Sequence, residues 1–129
     1  MINAKLIAIV FGATFALVGG VGFIDNPLVS GSGFFQTNWA HNLVHILTSV
    51  MFFAGIARYP GKERQVVLYT GYFYMLVALL GFVWPGDNLL GFIHINPADR
   101  WLHLGLAVAI VFAGWLAKPA KVVLRTVYR

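Results

Sequence analysis

Residues 65–84 read QVVLYTGYFYMLVALLGFVW, a run without one charged side chain. A helix rises about 1.5 Å per residue, so about 20 apolar residues cross a hydrocarbon core about 30 Å thick. Backbone polar groups in lipid find no water, so a run of this kind is read as a helix that pairs them internally. Three more long apolar stretches, at about residues 4–24, 39–58 and 98–117, bring the expected number of transmembrane helices to four. The chain of 129 residues is 60% hydrophobic and 10% charged. A soluble domain of this size has too much surface to hide that much apolar side chain. The expectation is an all-α integral membrane protein with one membrane domain over residues 1–129. The start, Lys5 followed by an apolar run to Ile24, has the look of a signal peptide. It lacks a small-residue cleavage site and a later segment repeats it, so it is read as retained.

Charge sets the direction of the spans. Lys5, Arg58, Lys62, Arg64, Lys118, Lys121, Arg125 and Arg129 fall on one side and only Arg100 on the other. By the positive-inside rule, both termini and the short 58–64 connector face the cytoplasm, and the expected location is the bacterial cytoplasmic (inner) membrane. Trp39, Trp84 and Trp101 then mark the outer interface, with Tyr59 and Trp115 at the inner one. The formal charge of +5 is explained by this topology, and nucleic acid is not an expected partner. Residues 120–129 read as a basic cytoplasmic tail suited to anionic headgroups or to solvent.

The chain also matches itself. At an offset of 59, Gly12, Leu17, Val18, Gly22 and Phe23 meet Gly71, Leu76, Val77, Gly81 and Phe82. At 58, Gly33, Phe34, Asn38, Ala40 and His45 meet Gly91, Phe92, Asn96, Ala98 and His103. Apolar composition alone does not align Gly, Asn and His, so a tandem duplication of a two-helix unit is expected, about 4–60 and 64–119. Two spans per unit make a parallel repeat about an axis along the membrane normal. Gly105 is a candidate for a bulge that absorbs one extra residue in the second copy. Small residues at Ala8, Gly12, Ala16 and Gly20, and at Gly105, Ala109, Ala113 and Ala117, are expected to line the internal seam.

The polar residues gather where helices two and four begin. Asn38 and Asn96 suit N-caps, Pro97 the first helical position, and Asp99 the third position of a capping box. His41 and His45 are four apart, as are Asp99 and His103, so each pair shares a helix face. His45 lies roughly 10 Å below its helix end, a costly depth for an ionisable group and hence a candidate functional position. Three readings stay open. The residues form a hydrogen-bonded network between helices, they ligate a cofactor, or they begin a proton or solute path. As ligands, His45 and His103 are candidates for axial haem binding. His41, His45, Asp99 and His103 are candidates for a divalent transition metal, and a single histidine suits a chlorin magnesium. No cofactor at all is the favoured expectation. His94 reads as an exposed loop residue, and Phe52, Phe53, Tyr72, Phe73 and Tyr74 as packing and lipid-facing surface. With no cysteine, no nucleophile–base pair, no glycine-rich phosphate loop and no paired carboxylates, an enzyme is disfavoured.

The motif His41-Asn42-Leu43-Val44-His45, together with Asn96-Pro97-Ala98-Asp99-Arg100-Trp101-Leu102-His103, resembles a bacterial family of small four-helix membrane proteins known as domain of unknown function number four-three-eight-three. The order of four spans extends that resemblance over nearly the whole chain. It implies the four-helix architecture and a role for the motif histidines, and no activity. The favoured function is a non-enzymatic accessory or scaffold subunit of a membrane complex, with the bilayer, partner subunits or a second copy as partners. The alternatives are a haem-, metal- or pigment-binding membrane protein using these histidines, and a small transporter.

Overall fold

A computed structural model describes residues 2–118. Four helices account for most of them: α1 (Ala4–Val21), α2 (Trp39–Arg58), α3 (Glu63–Val83) and α4 (Pro97–Leu116). All four are long and apolar enough to cross a membrane. Two-residue strands decorate the long connectors, β1 (Val29–Ser30) with β2 (Phe35–Gln36) and β3 (Asn88–Leu89) with β4 (Ile93–His94). The first pair is parallel and the second antiparallel. The basic segment 120–129 lies outside the described residues.

Local chemistry explains the boundaries. Asn38 Oδ1 accepts from the His41 amide at 3.0 Å and Asn96 Oδ1 from the Asp99 amide at 2.9 Å. These bonds satisfy amides that the first turn of a helix leaves free, and Pro97 loses no bond at that position. α1 stops at Val21, three residues short of the expected Ile24, because Gly22 caps it and Asn26 gathers the turn. The Asn26 amide donates to the carbonyls of Ile24 and Val29, both at 2.7 Å, while its Oδ1 accepts from the Val29 amide at 2.8 Å. α4 runs without interruption from Pro97 to Leu116, so the bulge expected at Gly105 is not formed.

The closest packing is α1 on α2 and α3 on α4, with α3 also meeting α1 and α2. Glycine allows both close approaches: a Cβ at Gly12 would stand 3.0 Å from the Phe53 ring, and one at Gly71 2.9 Å from Ile110. The core holds Ala8, Phe15, Phe52, Val67, Tyr74, Ala107 and Ile110. Outward faces are apolar as well, with Leu17, Tyr69 and Val83 exposed. That inversion suits helices whose solvent is lipid. The expected small-residue seam is corrected in part. Ala8, Gly12 and Ala117 are buried, while Gly20, Gly105 and Ala109 face outward. The buried ridge of α4 instead runs through His103, Ala107, Ile110, Val111 and Gly114. At the far end of the bundle the Lys118 amide donates to the Ile2 carbonyl, so the beginning of α1 and the end of α4 are neighbours.

Candidate functional site

The end of the bundle that carries the long connectors holds a buried polar cluster. His41, His45, Asp99 and His103 are 1%, 4%, 1% and 8% exposed. The sequence pairs them within helices, and the tertiary fold brings the two pairs together. His45 Nε2 lies 3.0 Å from His41 Nε2 and 3.4 Å from His103 Nε2. Helices α2 and α4 therefore meet through these side chains.

Two of the rings are held from behind. His41 Nδ1 lies 2.6 Å from the His94 carbonyl oxygen, and His103 Nδ1 lies 2.8 Å from the Asp99 carbonyl oxygen. A carbonyl only accepts, so each Nδ1 carries a proton, and in the neutral ring Nε2 is left with a lone pair. Both lone pairs face His45 Nε2. Asp99 Oδ2 sits 3.2 Å from His103 Nδ1 and 3.6 Å from His41 Nε2. That oxygen and His45 Nδ1 are buried without a hydrogen-bond partner. The arrangement can share one proton among three imidazoles, or close around a cation. An unpaired buried carboxylate is costly unless positive charge stands near it.

His94, expected to be exposed, is half-buried in β4. Its Nε2 meets Gln36 Oε1 at 3.0 Å and its backbone supports His41. The correction has a simple cause: the β3–β4 turn folds back over the helix ends. Of the aromatics read as packing or lipid-facing surface, Phe52 and Tyr74 are buried while Phe53, Tyr72 and Phe73 are exposed. Tyr74 was the residue most underrated by sequence. Its ring packs 5.4 Å from His103, and its hydroxyl is buried without a partner. A signal existed: 59 positions earlier stands Phe15, whose ring packs 5.6 Å from His45. The hydroxyl is the difference between them.

The family model described as Domain of unknown function (DUF4383) matches residues 5–116. The chain belongs to this family. Both histidine motifs fall inside the matched segment, so DUF4383 membership covers the four helices and the polar cluster alike. No curated protein and no solved structure matches the chain.

Proposed function

We propose that this membrane protein binds one divalent transition-metal ion through Nε2 of His41, His45 and His103. The convergence of the three imidazoles carries the reading. Metal–nitrogen bonds of about 2.0–2.1 Å in a tetrahedral zinc site put ligand nitrogens about 3.4 Å apart. The spacings of 3.0 and 3.4 Å about His45 fit that figure. Backbone carbonyls behind His41 and His103 supply the orienting contacts that metal-bound imidazoles need. Asp99, close behind His103, balances charge and steers that ring, which leaves a fourth coordination position open. Imidazole ligands suit zinc, iron or copper. A haem held between His45 and His103 is disfavoured, because the His41 ring, its Nε2 3.0 Å from His45 Nε2, stands where the macrocycle would lie. An accessory or scaffold role in a membrane complex has the support of size and composition alone, and we place it second.

The test is metal content of protein purified from native membranes, and of apoprotein reloaded with Zn(II) or Co(II). About one metal per chain is expected, lost in His45→Ala. Protein that takes up no metal, or a His45→Ala variant that keeps it, overturns the reading.

We also infer a tandem duplication, with units at about 4–60 and 64–119. Reciprocal hydrogen bonds support it: Asn38 Nδ2 donates to the Phe92 carbonyl at 2.7 Å, and Asn96 Nδ2 to the Phe34 carbonyl at 2.9 Å. Both partners are 58 positions apart, as are His45 and His103. The distribution of basic residues supports a topology with both ends in the cytoplasm and the metal site toward the outer face. The chain has no cysteine, so single Lys62→Cys and Asp87→Cys variants test that topology. An impermeant maleimide added to intact cells should label only Asp87→Cys.

A further inference from the structure

Beside the three histidines, α2, α3, α4 and the β3–β4 connector border a partly open cavity of about 30 Å³. A buried water needs about 10–15 Å³ of such space, so the cavity takes a ligand of at most two or three heavy atoms. His41 and His103 form one side of it, and Tyr74 and Arg100 stand in its wall. The remaining lining is apolar, with Val44, Ala78 and Ile95 among it. Tyr74 is 1% exposed, and neither its hydroxyl nor Arg100 Nε has a hydrogen-bond partner. Arg100 Nη2 is engaged with Asp87 Oδ1 at 3.0 Å, which holds the guanidinium from its other end.

A phenol and a guanidinium both donate, and the guanidinium donates only, so their complement is an acceptor carrying negative charge. Apolar walls strengthen such contacts and penalise leaving the donors unused. Three imidazoles on one metal leave a fourth position, the arrangement that tetrahedral sites use for an exchangeable ligand.

We propose that a small inorganic anion or hydroxide occupies the fourth metal position inside this cavity, accepting a hydrogen bond from the Tyr74 hydroxyl. This rests on the metal-binding reading above. The second half of the molecule is then the ligand-receiving half. Phe15, at the position corresponding to Tyr74, offers no donor.

The experiment loads wild-type protein in detergent with Co(II), follows the visible d–d bands, and titrates with azide as the probe. Azide should shift the bands saturably. Tyr74→Phe should keep the cobalt bands and the metal content while weakening azide by about tenfold, the value of one hydrogen bond. Ala78→Val, which narrows the cavity without touching a ligand, should keep cobalt and also weaken azide. Cobalt bands that azide leaves unmoved overturn the proposal, as does equal azide affinity in wild type and Tyr74→Phe. A wild-type protein that takes up no cobalt fails earlier, at the metal centre itself, and the two failures are told apart by the spectrum before azide is added.

Discussion

In the α1–α2 half, Gly12 lets α2 approach until a Cβ would touch Phe53, and in the α3–α4 half Gly71 does the same for Ile110. Asn38 caps one entry helix and Asn96 the other, each also reaching a carbonyl in the opposite half. The two halves are alike in these contacts and unlike in polar content. Where the first half has Phe15, His41 and Asn42, the second has Tyr74, Asp99 and Arg100. The first half is closed: the Asn42 side chain is 2% exposed and packs on Gly22. The second borders a cavity lined by Tyr74, Arg100 and His103, completed by His41 and Val44 of the first. On the proposed duplication, equivalent positions thus differ in charge and hydrogen-bonding capacity, and on the proposed metal site that difference sets which half offers an anion its donor.

The largest effect that can break this comparison is at the ligands. His45→Ala and His103→Ala should each lower metal affinity by more than the roughly 10–100-fold cost of losing an outer-shell partner. Asp99→Asn should fall inside that range, as read by competition with a chelator. If Asp99→Asn equals the histidine variants, the carboxylate is itself a ligand, and the two halves contribute two ligands each.

Close packing is the next contrast. A Cβ at Gly22 would stand 2.2 Å from Asn42 Oδ1, whereas at Gly81 the nearest atom is Ile95 Cδ1 at 3.2 Å. Gly22→Ala should destabilise by about 1–3 kcal/mol and Gly81→Ala by less than about 1 kcal/mol. Unfolding titrations in mixed detergent measure both, and equal losses would remove the distinction between a closed half and an open one.

The caps test what the halves share. Asn38→Ala and Asn96→Ala should each cost about 1–2 kcal/mol and agree within about 0.5 kcal/mol. A clear inequality would break the reciprocity across the bundle. Smallest of all should be Asp87→Ala. Its ion pair with Arg100 is half exposed on the carboxylate side, at 51%, so stability should change by about 0–1 kcal/mol.

Much of this was legible in the chain. Four long apolar runs specify four helices because lipid admits no other open backbone, and Asn, Pro and Gly punctuate them where first-turn amides need partners. The spacing of His41 and His45, and of Asp99 and His103, puts each pair on one face by helical geometry alone. The inward direction of the small-residue stripes was not legible. Beyond His103 no polar side chain marks the inward face of α4, and packing told Ala107 and Gly114 from Gly105 and Ala109. The burial of His94 and the importance of Tyr74 were equally hidden, since both depend on a connector folding over the helix ends and on a ring 5.4 Å away on another helix. Sequence by itself determined the helices, their caps and the placing of His41 with His45, and of Asp99 with His103, on one helix face each. Only the tertiary structure decided that the two polar pairs converge across α2 and α4, because contact between residues 58 positions apart is set by how helices pack and not by any local preference.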